Sequence, residues 1–455
     1  MQVSTGSSEN YHHPTTTSTS NEPAASTTTE EASVNPQLEE ENASRLADRP
    51  TRFPRLRAFG QRWYPAIRGI LPIYIAVHMA IFILDCLSSL FINKDFSSTI
   101  MPISTLWTQW HFWDAAIYAH IAQGGYQLPI YMAFFPLYPL LERGVMTFVG
   151  NPYLAGLIVS NVAEFIMFTA LFRLISEEFD GKRAYTTVLY FALFPTAFFF
   201  SAAYTESVFL CCSILCFYHM RHGRWWWMAL FGFLASMTRP DGMYLLAPFC
   251  YEYLRHVWLR QGQPPFSIFS RESIIRLIKG IRFDALIGLC LVGGVIVVVI
   301  HGILRYNDPL AFIHAHRAWA RSMSFPWSGI ARSIKTIYHS GFLSFLSLRT
   351  MIDLGLDLLV LAMIVLGFFG PWKLPKTMWS YGIYAAILYL YFHLFPKGGV
   401  YPLESMSRFL LEIFPAFIIL ARISKFRTLH MSYCMVGGAL LFFLLTQYLT
   451  NHWIL

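Results

Sequence analysis

Repeated apolar runs of bilayer length constrain this chain before anything else does. A hydrocarbon core of about 30 Å takes about 20 apolar residues per helical crossing, and only helices or closed barrels satisfy their own backbone inside it. Such runs recur at about 69–92, 152–175, 184–203, 206–220, 225–238, 242–259, 284–305, 351–369, 377–396, 408–421 and 432–450. That pattern predicts an all-α, polytopic membrane protein, a helical bundle with about eleven transmembrane helices. The stretch YMAFFPLYPLLERGVMTFVG (131–150) is also apolar. Pro136 and Pro139 interrupt it, however, and Glu142 and Arg143 would lie deep in lipid, so it reads as a re-entrant or interfacial helix. Charged residues are 13% of the chain, against roughly a quarter in soluble domains.

Basic residues set the expected orientation. Arg45, Arg49, Arg52, Arg55, Arg57, Arg62 and Arg68 precede the first run and should hold it with its start in the cytoplasm. Residues 1–62 read as a cytoplasmic tail and 63–455 as the membrane domain. Residues 1–48, rich in Ser, Thr, Asn and Glu, read as disordered rather than as a signal peptide. Every later connection then assigned to the inside is basic: Lys182 and Arg183; Arg221 and Arg224; Arg255, Arg260, Arg271, Arg276, Lys279 and Arg282; Lys373 and Lys376; Arg422, Lys425 and Arg427. The exception among outer connections is the 306–350 segment, and loops of that length follow the rule weakly. Counting 131–150 as a full span would reverse all later loops. The net charge of +8 is thus an orientation signal, and with no soluble basic domain it gives no reason to expect nucleic acid as a partner. The seven cysteines lie in apolar stretches, without CxxC or Cys/His spacing for a metal.

The same layout collects the unusual polar groups on the outer side. These are the stretch WTQWHFWDAAIYAHIAQGGYQ (107–127), YTES (204–207), TRPDG (238–242), NDPLAFIHAHRAWAR (307–321) and YPLESMSR (401–408). Ionisable groups at span ends need water or partners, and they tend to mark sites. Asp114 follows Trp110, Phe112 and Trp113, so its carboxylate is partly desolvated and suited to act as a general base; alternatively it starts a short interfacial helix flanked by anchoring aromatics. Glu206 either orients a substrate or is a helix-start carboxylate. Arg239 and Asp241 flank Pro240, either as a local ion pair or with Arg239 on a phosphate. Arg408 needs an anion, either Glu404 or a lipid phosphate. His314, His316, Arg317 and Arg321 form either a cationic rim or a solvated helix face. The binding candidates are therefore Trp113, Tyr118, Tyr204, Glu206, Arg239, Asp241, Glu404 and Arg408, with Asp114 as the catalytic one.

The motif WDAAIYAHIAQGGY resembles the first-loop motif of the PIG-V family. Further agreement comes from AFFPLYPLL (133–141), SNVAEFIMF (160–168), LFPTAFFFSAAYTES (193–207), TRPDG and SMSRFLLEIFPAF (405–417), in order over about 65–420. The resemblance implies a GT-C-type fold and an inverting mannosyltransferase working on the luminal or extracytoplasmic side. Its donor would be a polyprenyl-phosphate sugar, typically dolichyl-phosphate mannose, and its acceptor a lipid-linked glycan, as in GPI assembly. No cofactor or metal is implied. The first-loop acid of the family maps to Asp114, its YTES carboxylate to Glu206 and its arginine motifs to Arg239 and Arg408. NDPLAFIHAHRAWAR is more similar to bacterial relatives than to the eukaryotic type. Both a prokaryotic plasma membrane and an endoplasmic-reticulum membrane therefore stay open, as does an accessory membrane subunit. Two readings from other classes are a secondary transporter and a lipid-handling membrane protein without catalysis. Transporters place ionisable groups in broken helices near the midplane, and an ion-coupled uptake assay separates them from a transferase.

Overall fold

The computed structural model describes residues 54–92, 102–261, 275, 278–319, 322–396 and 401–452; Arg271, Arg276, Arg321 and the expected tail through residue 53 lie outside them. The chain separates into two units, Met1–Phe59 and Gly60–Leu455. The second unit holds the apolar runs and the polar motifs. Its regular structure is helical among the described residues.

Among the described residues, the helices of ten residues or more are α1 (Pro54–Ile92), α2 (Asp114–Gly124), α3 (Leu137–Val149), α4 (Pro152–Glu178), α5 (Gly181–Ala192), α6 (Glu206–Arg221) and α7 (Trp225–Thr238). They continue with α8 (Leu246–Arg260), α9 (Cys290–Tyr306), α10 (Ser328–Ser340), α11 (Phe345–Phe368), α12 (Trp379–Leu394), α13 (Phe414–Ile423) and α14 (Arg427–Leu449). Starts are set by local chemistry. Asn151 accepts from the Tyr153 and Leu154 amides at 2.9 and 3.2 Å with Pro152 in the first turn of α4, and Asp180 accepts from the Arg183 amide at 2.8 Å before α5.

Among the described residues, five segments are long and apolar enough to cross a membrane: Gly60–Leu90, Pro152–Glu178, Phe283–Tyr306, Phe345–Phe368 and Arg427–Leu449. In the first, third and fifth only 22% of the apolar window is buried in the protein. Faces as apolar and exposed as these need lipid against them rather than water. α6 is the opposite case, buried nearly all round and packed on α4 and α7. Its 16 residues make about 24 Å of helix, so it is a central strut shielded by its neighbours. α3, with 13 residues, is about 20 Å long and too short for a crossing.

Two expected spans are not continuous helices. The run 184–203 stops being α-helical at Ala192; Pro195 follows, then a 3-10 turn Ala197–Phe200, before α6 begins. The run 408–421 breaks into a turn of helix Met406–Phe409, a 3-10 turn Leu410–Glu412, and α13 with Pro415 in its first turn. Non-helical backbone at this depth persists only where protein buries it or a cavity adjoins it. Both breaks adjoin the same cavity, the first through Phe199 and the second through Arg408 and Phe409.

α7 and α9 cross at close quarters. A methyl group on Gly294 would lie 2.3 Å from the Met237 amide nitrogen, and the Gly294 amide donates to Ser236 Oγ at 3.0 Å. Gly294→Ala should therefore force the helices apart and destabilise the protein by about 1–3 kcal/mol. A melting curve of the detergent-solubilised protein checks this, and an unchanged midpoint would refute it.

The C-terminal end of α6 is held by charge. Arg221 donates to both Glu178 oxygens (2.5 and 2.8 Å) and to Glu252 Oε1 (2.7 Å), while Arg255 donates to Glu252 Oε2 (2.7 Å). Two of the basic residues read as orientation signals are thus committed inside the bundle, tying α4, α6 and α8 together.

Candidate functional site

The N-terminal end of α6 carries a second charge cluster, assembled from four separate parts of the chain. Glu206 opens α6 and is fully buried. Its Oε1 accepts from Arg408 Nε and from Arg239 Nη1 (3.1 Å). Arg239 also donates through Nε to Asp241 (3.2 Å) and through Nη1 to Thr205 (3.3 Å). Arg239 Nη2 lies 2.9 Å from Glu412 Oε1, an ion pair in distance though not aligned as a hydrogen bond. Arg408 Nη1 donates to Asp114 Oδ2 at 2.8 Å. Rings cover both guanidiniums: Arg408 lies 4.5 Å from the Tyr204 centroid and 5.2 Å from that of Phe199, and Arg239 lies 5.3 Å from that of Phe409. Four carboxyl groups (Asp114, Glu206, Asp241, Glu412) thus share two guanidiniums, and burial requires each guanidinium to keep an anionic partner.

Asp114 differs from the other three acids in exposure. Its side chain is 25% exposed, against 0% for Glu206 and Glu412 and 5% for Asp241. It stands in the first turn of α2 behind Trp113, whose φ of 54° and ψ of −119° are unusual for a bulky residue. Ser405, three residues before Arg408, also has a positive φ, 67°. Such conformations persist where surrounding contacts impose them, and around Trp113 those contacts are visible. Tyr204 OH donates to the Phe112 carbonyl (3.2 Å) and Tyr448 OH to the Trp110 carbonyl (3.1 Å). The Trp110 indole donates to Asp85 (3.3 Å) and Ser88 to Gln109 (2.9 Å), both from α1. The loop that carries Asp114 is pinned on three sides.

Asp114, Arg239, Asp241 and Arg408 line one cavity of about 530 Å³, the size of a small-molecule site. Trp113, Tyr204, Phe199 and Tyr448 form its aromatic side. Phe312, Ile313, His316, Arg317 and Met323 approach from the segment after α9, and Tyr391 and Phe395 from the end of α12.

All five polar motifs of the sequence reach this cluster or its cavity, with two corrections. Glu404 is not the partner of Arg408, whose bonds go to Asp114 and Glu206, and it does not line the cavity. Tyr118 is buried behind the site against Phe134 and Tyr138, at 5.1 and 4.9 Å between ring centres, and does not line it either. Of the two readings of Arg239 and Asp241, the local ion pair is present, and both residues line the cavity. His314 turns to Asp308 (2.7 Å), while His316 and Arg317 line the cavity. Glu412 and Tyr448 were missed. Glu412 had a signal, a lone acid four residues after Arg408 in an apolar run. Tyr448, one of several tyrosines at span ends, had none.

The profile of the mannosyltransferase (PIG-V) family matches residues 70–297, a stretch that holds Asp114, Glu206, Arg239 and Asp241 and ends before Arg408. GPI mannosyltransferase 2 of Drosophila pseudoobscura pseudoobscura is 32% identical over 108 residues, 21% of this chain, so the match spans about a quarter (24%) of that relative's length. The crystal structure of an Archaeoglobus fulgidus oligosaccharyltransferase, in complex with zinc and sulfate, aligns over 82% of this chain and 53% of its own. The identity is 10% and the TM-score 0.35, below the level that shows a shared fold. With half of its length under the family profile, including the loop and span ends that carry Asp114, Glu206, Arg239 and Asp241, this chain belongs to the mannosyltransferase (PIG-V) family.

Proposed function

We propose that this chain transfers a mannosyl residue from a polyprenyl-phosphate donor, such as dolichyl-phosphate mannose, to a lipid-linked glycan. The reaction is of the inverting, GT-C type and takes place on the luminal or extracytoplasmic side. The observation that carries this reading is the selective exposure of Asp114. It is the most exposed acid of the cluster, on a loop held by tyrosines and an indole, at the wall of a cavity with a large aromatic surface.

The chemistry follows from that placement. The acceptor hydroxyl oxygen attacks the anomeric carbon as the bond from that carbon to the phosphate oxygen breaks. The hydroxyl proton passes to Asp114, and the carrier leaves as a phosphate monoester. Arg408 holds Oδ2, which assigns Oδ1 to the hydroxyl and fixes the carboxylate without motion during transfer. Aromatic walls suit the faces of a sugar and the first units of an isoprenoid chain. The orientation rests on the basic connections, and the compartment is the plasma membrane in a prokaryote or the endoplasmic reticulum in a eukaryote. An accessory subunit belongs to the same proposal.

Membranes carrying the protein, given radiolabelled polyprenyl-phosphate mannose and a lipid extract, should yield a labelled glycolipid that control membranes do not. Absence of that product would sink the assignment. The ionisable cluster lies at helix breaks, an arrangement transporters also use. Ion-coupled uptake by reconstituted protein, without glycolipid synthesis, would favour that reading instead.

A further inference from the structure

We infer that the phosphate of the sugar donor is met by Arg317, on the segment after α9, and not by Arg239 or Arg408. This rests on the polyprenyl-phosphate reading of the donor. The two buried guanidiniums are already committed: Arg408 to Asp114 and Glu206, and Arg239 to Glu206, Asp241 and Glu412. The cluster holds more acids than bases, so an arriving phosphodiester gains no unmatched cation from it. The departing monoester gains less, because it takes on a second negative charge. The cation has to come from another wall.

Arg317 provides it. It lines the cavity, is exposed, and forms no ion pair with a carboxylate among the described residues. Asp308, which feels the Arg317 charge, is already occupied at both oxygens: Oδ1 accepts from the Leu310 amide (2.9 Å), and Oδ2 is paired with His314 (2.7 Å). The segment is built rather than loose. Tyr306 OH donates to the Tyr126 carbonyl (2.9 Å), and Ala311 and Ala315 are buried in a cluster with Met132 and Phe135. Beside Arg317 the same wall presents Ile313 and Met323, apolar surface for the carrier chain next to a guanidinium for its head group. A planar guanidinium matches phosphate oxygens in pairs.

The test uses the full-length protein in nanodiscs, with polyprenyl phosphate lacking the sugar as probe. Arg317→Ala should weaken its binding by roughly ten- to a hundredfold, the worth of a charged hydrogen-bonding group. It should raise the donor KM by a similar factor and lower kcat as well, because the leaving phosphate loses the cation that meets its second charge. Arg317→Lys should retain part of the binding, and Arg317→Gln replaces the alanine variant if that one accumulates poorly. Melting midpoints of the variants should match the parent. A parent that makes glycolipid while Arg317→Ala shows an unchanged donor KM overturns the inference and leaves the transferase reading standing. A parent that binds polyprenyl phosphate through Arg317 but transfers no sugar does the reverse. Equal, Arg317-dependent binding of phosphatidic acid would make this a general lipid head-group site and also overturn the inference.

Discussion

Asp114→Asn should lower glycolipid synthesis by about 10²–10⁴-fold, the range a positioned general base contributes, while the protein accumulates as the parent does. The variant keeps the size of the side chain and an oxygen that can accept from Arg408, but it cannot take the acceptor proton. Its fold should survive because the cluster carries more carboxylates than guanidiniums, so removing the most exposed negative charge leaves no cation buried alone. Arg408 retains Glu206, and the loop keeps the bonds it accepts from Tyr204 and Tyr448 and the one Trp110 donates to Asp85. Asp114→Glu keeps the charge but moves it by one methylene on a loop pinned just before it at Trp113, and it should fall between the two. The measurement is labelled product per unit of immunodetected protein, with donor KM determined separately. Activity of Asp114→Asn within a factor of two of the parent would remove this residue from the chemistry.

What the sequence disclosed and what it hid divide along a physical line. The membrane bundle was legible because apolar runs repeat at bilayer length, and those runs place nearly every long helix. Asp114, Glu206, Arg239 and Arg408 were legible as candidates because an ionisable group beside an apolar run needs a reason. Their pairing was not. Glu404 lies four residues from Arg408 and looked like its partner, but Ser405 turns through a positive φ and the guanidinium reaches Glu206, 202 residues away in the chain. Tyr118 shares a short helix with Asp114, yet one turn on it faces the core. The two broken spans were signalled by Pro195 and Pro415, but hydropathy averages over such breaks. Long-range pairing among charges is a property of packing, and no local pattern records it.

Arg408→Ala should deplete the folded protein rather than its affinity for donor. The sequence alone leaves Arg408 open between Glu404 and a lipid phosphate. In the structure Arg408 is nearly buried and spans Asp114 and Glu206. Removing it leaves Glu206, with no exposure, sharing Arg239 with two other acids. Breaking a buried pair by deleting one partner costs about 3–5 kcal/mol, a large part of the roughly 5–15 kcal/mol that holds a domain together. Arg408→Lys should restore little, because two bonds leave one rigid fork and an ammonium cannot reproduce them. The decisive variant is the double one. In Arg408→Ala/Glu206→Gln the orphaned charge is gone, so abundance and melting midpoint should recover beyond Arg408→Ala alone, with a coupling of about 0.5–3 kcal/mol. Transfer should stay low, because Asp114 has lost the group that fixes it. An Arg408→Ala protein with the parent's melting midpoint and a raised donor KM would return Arg408 to the substrate and move the phosphate from Arg317 to the cluster.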